Sequence, residues 1–225
     1  MKYQWILFDA DETLFNFDAY QGLKLMFSRY HTEFTQEDYQ AYQEINKPLW
    51  VQYQDGDITA TELQNTRFHG WSQRLDIPAQ TLNEQFLIAM ADICSLLPGA
   101  QELLDKLAPV ANMGIITNGF TRLQTIRLEK LKLLDLFSPV VISEEVGITK
   151  PDVGIFKHTF DLIGNPDKNR ILMVGDNPLS DILGGINAGI DTCWLNVNDC
   201  VKPSNIDPTY QVKSLFELQE VLFNK

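Results

Sequence analysis

Short apolar runs that each stop at a polar cluster, separated by helix-length segments, constrain this chain more than any other feature. Ile6-Leu7-Phe8 stops at Asp9, Val110–Ile116 at Thr117-Asn118-Gly119, and Ile171–Val174 at Gly175-Asp176. Val140–Ile142 and Thr192–Leu195 are further strand-length runs, and Tyr210–Val212 is a short extended piece. Helical segments fall between them: one ending near Leu107, then Thr121–Leu131, Val153–Ile163, Ser180–Ala188 and Leu215–Leu222. Strands alternating with helices of this length predict βαβ units, a parallel sheet and right-handed crossovers, hence an α/β fold of the Rossmann type.

The first two strands do not follow each other closely. Asp9 and Thr117 are 108 positions apart, whereas a crossover needs only about 30 residues. From Phe15 to about Pro98 the chain reads as helical, so the core is expected from residues 1–14 and 98–225, with 15–97 inserted as a helical cap. Asp18 is placed to cap a first helix carrying Leu23, Met26 and Phe27, and Thr35-x-x-Asp38 resembles a capping box. Pro48 is expected to bend or restart that second helix. Thr59-x-x-Glu62 is a full capping-box pattern opening a helix with Leu63, Phe68, Trp71 and Leu75 near one face, and Thr81-x-x-Glu84 is expected to open another.

Eighteen basic against thirty acidic residues leave a net charge of −12. That opposes nucleic-acid polymers and anionic membranes, which call for basic patches. It leaves room for a small phosphorylated partner if local cations reverse the field in one cleft. Cys94, Cys193 and Cys200 are an odd number without metal-ligand spacing, which reads as free thiols in a reducing compartment. Asp9 and Asp11 follow the N-terminus too soon for a signal-peptide core, and no apolar run approaches the roughly 20 residues that span a bilayer. The chain therefore reads as cytoplasmic. Nothing in it sets an oligomeric state.

In an open α/β sheet, ligands bind beyond the carboxyl ends of the strands. Asp9-x-Asp11 alone is equally well a solvated loop with an Asx turn. A parallel sheet, however, brings it to the same edge as Thr117, Asn118, Lys150, Asp176 and Asp181. Four carboxylates and one ammonium cannot share a poorly hydrated edge without a further cation. An all-oxygen donor set without Cys or His points to Mg²⁺, with Mn²⁺ as its substitute. A metal, a lysine and the amides at a helix N-terminus make a phosphate site, and a carboxylate in such a site is suited to attack phosphorus. His31, His69 and His158 lie outside every cluster and read as surface or packing residues. Gly184-Gly185 lacks the context of a dinucleotide fingerprint and reads as a place of close helix packing.

Asp9-x-Asp11-x-Thr13, Ile115-Ile116-Thr117-Asn118-Gly119, Lys150-Pro151 and Gly175-Asp176-x-x-x-x-Asp181 together resemble the four motifs of the haloacid dehalogenase (HAD) superfamily. The helical insertion falls where that superfamily carries C1-type caps. Within the superfamily, Phe8–Phe15, Asn46–Trp50, Ile142–Gly147 and Asp181–Gly189 are most similar to pyrimidine 5′-nucleotidases. The resemblance implies a Mg²⁺-dependent phosphatase of pyrimidine nucleoside monophosphates such as dUMP, UMP and dTMP. The competing expectation is a phosphatase of another small metabolite: phosphoglycolate, a sugar phosphate or acylneuraminate 9-phosphate.

The roles that follow are these. Asp9 is the nucleophile, and Asp11 is the acid and base that serves the leaving oxygen and then the water. The dehalogenase branch lacks an acid at the Asp11 position, which favours phosphatase chemistry here. Thr117 and the Asn118 amide hold phosphate oxygens. Lys150 neutralises the nucleophile and the transferring phosphoryl group. Asp9, the Asp11 carbonyl and Asp176 hold the metal. Asp181 acts through a metal-bound water, orients Lys150 or caps its helix, and Asn177 stands where a second acid often does. Substrate choice falls to the cap, where Phe15, Phe17 and Trp50 could stack on a base and Asn46 and Lys47 could read its edge.

Overall fold

The computed structural model describes residues 1–224. Its contacts divide the chain into two compact units: Met1–Asn16, Ser95–Gly119 and the chain from Lys132 onward form one, and Phe17–Cys94 with Phe120–Leu131 the other.

The first unit is an α/β layer structure. Strands β1 (Trp5–Phe8), β2 (Asn112–Thr117), β3 (Val140–Ile142), β4 (Ile171–Gly175), β5 (Asp191–Leu195) and β6 (Tyr210–Val212) form one six-stranded sheet in the order β3-β2-β1-β4-β5-β6. Every neighbouring pair is parallel. The strands are almost wholly apolar because a parallel sheet is covered on both faces. Leu7, Ile116, Val141 and Met173 form a cluster with Ile155, Phe156 and Phe160 on one face. Ile6, Phe8, Leu172 and Val174, equally buried, alternate to the other face.

Strand order reverses direction at β1 and β4, which places the ligand crevice of such a sheet at their carboxyl ends. These are the ends that carry Asp9 and Asp176.

The second unit is all helical: α1 (Ala19–Ser28), α2 (Gln36–Gln54), α3 (Ala60–Thr66), α4 (His69–Leu75), α5 (Ala79–Ile93) and α7 (Thr121–Lys130). Its core is Leu23, Met26, Phe27, Phe34, Leu63, Phe68, Phe86 and Met90, joined by Phe120 and Leu123. Asp18 caps α1 by accepting from the Gln21 amide, and both capping boxes, at Thr35 and Thr59, are formed.

Three local expectations in this unit are corrected. Helix α2 runs through Pro48 without a restart. Pro48 and Glu44, whose carbonyl loses its amide partner, are both exposed residues, where a missing helix hydrogen bond costs least. The helix expected from Thr59 to Leu75 is broken at Arg67–Phe68 into α3 and α4. The break turns both residues inward, where each is at most 4% exposed. Helix α5 starts at Ala79 after Pro78, not at Thr81. Asn83, which the capping pattern would have put in an outer turn, is buried and accepts from the Arg67 guanidinium.

The first unit also holds α6 (Ala100–Leu107), α8 (Ser143–Val146), α9 (Val153–Leu162), α10 (Leu183–Ala188) and α11 (Leu215–Phe223). The helix expected from Ser180 begins instead as a wide turn of π type, Pro178–Ile182, that runs into α10. Close packing explains the glycine pair of α10: a Cβ on Gly184 would lie 2.5 Å from Phe156, and one on Gly185 2.5 Å from Thr192. Residues 120–131, grouped by sequence with the α/β core, pack with the helical unit through α5 and α7. Among the described residues, no helix is long and apolar enough to cross a membrane.

Candidate active site

The carboxyl end of β1 continues its register for one residue, with the Asp9 amide donating to Val174 O at 2.8 Å. The chain then turns sharply. The amides of Leu14 and Phe15 both donate to Ala10 O at 3.0 Å, and the Glu12 amide donates to Phe15 O at 2.8 Å. Thr13, completely buried, donates its hydroxyl to Asp176 Oδ1 at 3.3 Å and so ties this loop to the end of β4.

Lys150 is the centre of the site. Its side chain is 1% exposed. Its ammonium donates to Asp9 Oδ1 at 2.6 Å, Asp181 Oδ1 at 2.7 Å and Ile116 O at 2.6 Å. An ammonium has three hydrogens, and all three are engaged. The backbone of Lys150 is held as firmly. The Asn118 side chain accepts from the Lys150 amide at 2.8 Å and donates to the Lys150 carbonyl at 2.9 Å. Asn118 is thus a two-point clamp that carries the lysine from a distant loop to the end of β2. Thr117, 1% exposed, accepts from the Gly119 amide at 3.0 Å and shapes the same corner.

At the end of β4, the wide turn brings Asp181 back beneath the strand. Asp181 Oδ2 accepts from the Asn177 amide at 3.0 Å, while the Asn177 side chain accepts from the amides of Leu179 and Ser180. Asp181 is fully buried. Gly175 makes room for it, because a Cβ there would lie 2.2 Å from Asp181 Oδ2. Of the three expected roles for Asp181, the contact to Lys150 is the one realised between protein atoms.

Asp9, Asp176 and Asp181 each offer a carboxylate oxygen, and these lie within 4.8 Å of one another. The Asp11 side chain is not part of that group. Burial pushes Asp9 up to about 7 against the pull of Lys150, with Asp181 and Asp11 adding to the rise. Burial and then the charges of Asp181 and Asp9 push Asp176 up to about 8. Burial alone would depress Lys150, yet Asp181 and Asp9 hold it above the ordinary lysine range. Three crowded carboxylates with one ammonium leave an excess of negative charge. This donor set fits a divalent cation, which would relieve that excess.

The residues expected to read a base are placed as follows. Phe15 lies in the α/β unit with 0% exposure, as a packing residue. Phe17, Asn46, Lys47 and Trp50 belong to the helical unit. Trp50 stacks on Phe120 with ring centres 5.1 Å apart, Asn46 accepts from the Tyr42 hydroxyl at 3.4 Å, and Lys47 is exposed. His31, His69 and His158 are all exposed. Cys94, Cys193 and Cys200 form no disulfide among the described residues.

Two site contacts were not foreseen. The Ile116 carbonyl takes one Lys150 hydrogen, and the Trp194 indole donates to Asp176 O at 2.8 Å. Trp194 was within reach of the strand-end argument, since it lies near the carboxyl end of β5.

Residues 3–189 match the family of haloacid dehalogenase-like hydrolases. The chain belongs to this family. It is 54% identical over 222 residues to the pyrimidine 5′-nucleotidase YjjG of Escherichia coli, covering 99% of both chains. It is 35% identical over 235 residues to the pyrimidine 5′-nucleotidase PynA of Streptococcus pneumoniae, covering 99% of this chain and 96% of that one. Among solved structures, the HAD-hydrolase YfnB of Bacillus subtilis, bound to magnesium, superposes with a TM-score of 0.84 at 29% identity, covering 99% of this chain and 100% of that one.

Proposed function

We propose that this chain is a Mg²⁺-dependent 5′-nucleotidase that releases phosphate from pyrimidine nucleoside monophosphates such as dUMP, UMP and dTMP. The observation that carries the reading is the buried Asp9–Lys150–Asp181 ion cluster at the β1/β4 switch point. The full-length likeness to two pyrimidine 5′-nucleotidases supports the substrate class.

An Asp9 carboxylate oxygen attacks phosphorus in line, forming an O–P bond as the bond to the ribose oxygen breaks. Asp11 gives that oxygen its proton. Asp11, now a carboxylate, removes a proton from water as the water oxygen attacks the aspartyl-phosphate. The O–P bond to Asp9 then breaks, inorganic phosphate leaves and both side chains are restored.

Lys150 favours the ionised form of Asp9 against the effect of burial and offsets charge as it spreads over the phosphoryl oxygens. Its hydrogens are already engaged by protein atoms, so direct contact with phosphate requires one of them to be released. Thr117 and the Asn118 amide contribute donors to the phosphate. Mg²⁺ held by Asp9, the Asp11 carbonyl and Asp176, with Asp181 nearby, would supply the positive charge that lets a phosphate dianion approach these carboxylates. Mn²⁺ would substitute for it.

We assign substrate choice to the helical unit, with Phe17, Asn46, Lys47 and Trp50 as candidates. The net charge fits a small phosphomonoester as partner, not a nucleic-acid polymer or a membrane. Three cysteines without a disulfide fit the cytoplasm.

Phosphate release from dUMP, UMP, dTMP, AMP, phosphoglycolate and a sugar phosphate, with Mg²⁺, with Mn²⁺ and with chelator, tests the reading. The pyrimidine nucleotides should have the highest kcat/KM, and chelator should abolish turnover. A sugar phosphate or phosphoglycolate hydrolysed faster than every pyrimidine nucleotide would overturn the substrate assignment.

A further inference from the structure

The Asp176 carboxylate belongs to the group that fits a divalent cation, yet its own neighbours do little to fix it. It follows Gly175, the last residue of β4, and precedes Asn177, which opens the wide turn. Gly175 leaves the space where a Cβ would meet Asp181, and glycine restrains its own backbone least of all residues. Asp176 also lies beyond the last paired residues of β4, Val174 on the β1 side and Gly175 on the β5 side. A carbonyl past the ladder must find a partner elsewhere.

Side chains supply that hold. Thr13 donates to Asp176 Oδ1 at 3.3 Å, and the Trp194 indole donates to Asp176 O at 2.8 Å. The hydroxyl bond is long for its type and the indole bond is not, so the indole is the firmer of the two. An indole has one hydrogen and no acceptor, and Trp194 gives that hydrogen to Asp176. The Trp194 side chain is buried in a cluster with Ile206 and with Ile182, the last residue of the wide turn. Packing therefore orients the donor before any ligand arrives.

We propose that Trp194 is a positioning residue for the metal centre: its indole N–H holds the Asp176 backbone so that the carboxylate is preset for Mg²⁺. Removing a group that holds a metal ligand by a hydrogen bond costs about 10–100-fold in metal affinity. Trp194 grips the main chain of Asp176, not its carboxylate, which puts the expected loss at the lower end, about tenfold. This inference rests on the Mg²⁺ reading. It adds that a residue outside the carboxylate cluster sets how tightly the cation is held.

The test titrates Mg²⁺ into the full chain as wild type, as Trp194→Phe, and with Trp194 replaced by benzothienylalanine, which keeps the shape of tryptophan with sulfur in place of the N–H. The isostere keeps the core filled if Phe leaves too large a gap to fold. Ile206→Ala is the control, since it loosens the same cluster and keeps the N–H. The Kd for Mg²⁺, taken from the dependence of Tm on its concentration, should weaken about tenfold in both proteins without the donor. Their loss of dUMP hydrolysis at low Mg²⁺ should be recovered at high Mg²⁺. In isotope-labelled wild type, the indole N–H resonance that disappears in Trp194→Phe should shift with the same Kd. Ile206→Ala should lower Tm while its Kd stays within about twofold of wild type. A Kd within about twofold of wild type in both proteins without the donor overturns the proposal. So does an Ile206→Ala that weakens Mg²⁺ as much as they do, which would mean general loosening, or an indole resonance indifferent to Mg²⁺. No effect of Mg²⁺ on the Tm or the hydrolysis of wild type would sink the Mg²⁺ reading itself, and is told apart because it shows in the unaltered protein.

Discussion

Replacing Lys150 with Met removes the ammonium while keeping most of its buried stem. The side chain is 1% exposed, and its three hydrogens go to Asp9, Asp181 and the Ile116 carbonyl. Deleting one partner of a buried ion pair costs about 3–5 kcal/mol. Here two carboxylates and a carbonyl lose a donor together, so the expected loss near pH 8 is about 5 kcal/mol. That is a large share of the roughly 5–15 kcal/mol that holds a domain folded.

The pH dependence has a definite sign. Lys150 is held above its ordinary range, so its charge is constant between about pH 5 and pH 9, and its stabilisation is lost only at higher pH. Asp9, raised to about 7, gains a proton as pH falls below that value, and the uncompensated charge in the variant shrinks. The penalty should therefore be smaller near pH 5.5 than near pH 8, by about 1–3 kcal/mol.

Urea unfolding in chelator at both pH values measures this for wild type, Lys150→Met, Asp181→Asn and the double variant. The double variant should lose less than the sum of the single variants, by more than about 1 kcal/mol. Hydrolysis of dUMP by Lys150→Met with Mg²⁺ should fall by at least about 10²–10³. A penalty below about 1 kcal/mol near pH 8, or one that grows toward pH 5.5, would refute the account of a coupled buried charge cluster.

In chelator, Asp9 and Asp176 bind more protons folded than unfolded, since both are raised from 3.8. Stability should therefore fall as pH climbs from about 4 to about 8, and the rise in Tm on adding Mg²⁺ should grow over the same window. A Mg²⁺-induced shift that is flat with pH would contradict the carboxylate donor set. Gly175→Ala forces a Cβ to within 2.2 Å of Asp181 and should reduce kcat by at least about tenfold while lowering stability by about 1–3 kcal/mol. Gly185→Ala meets Thr192 instead and should lower Tm with kcat/KM nearly intact; equal kinetic effects from both would remove the special place given to Gly175. Asp11→Asn should leave a chemically trapped aspartyl-phosphate detectable by intact mass after rapid quench with a fast-leaving substrate such as p-nitrophenyl phosphate. Unchanged turnover would exclude Asp11 as the acid and base.

The sheet was readable because each strand is an apolar run that ends at a charge or hydroxyl, and parallel pairing brings those ends together. Asp9, Asp176, Asp181 and Lys150 could be grouped on that rule alone. The details hidden from sequence are long-range. The Asn118 clamp on the Lys150 backbone joins positions 32 apart, and nothing local in either segment announces it. The wide turn at Pro178–Ile182 has the composition of an ordinary helix start, and only the burial of Asp181 beneath Gly175 reveals why it widens. The restart expected at Pro48 in α2 does not occur, because proline's cost depends on whether the orphaned carbonyl is open to water. The helix expected across Arg67 breaks because a buried guanidinium against Asn83 is a tertiary contact, not a local one. Helix periodicity likewise shows that 121–130 has a buried face, without showing which unit covers it.

That last feature has a consequence for how such a protein can be recombined. The helical unit is not a cassette. It is made from two stretches of chain, and the second, 120–131, begins two residues after the Asn118 clamp. A graft that exchanged only residues 17–94 for another set of helices would leave α7 behind, with Leu123 stripped of the helical core it belongs to. Retargeting the enzyme by transplant therefore means carrying α7 along with the rest, and cutting beside the catalytic corner to do so.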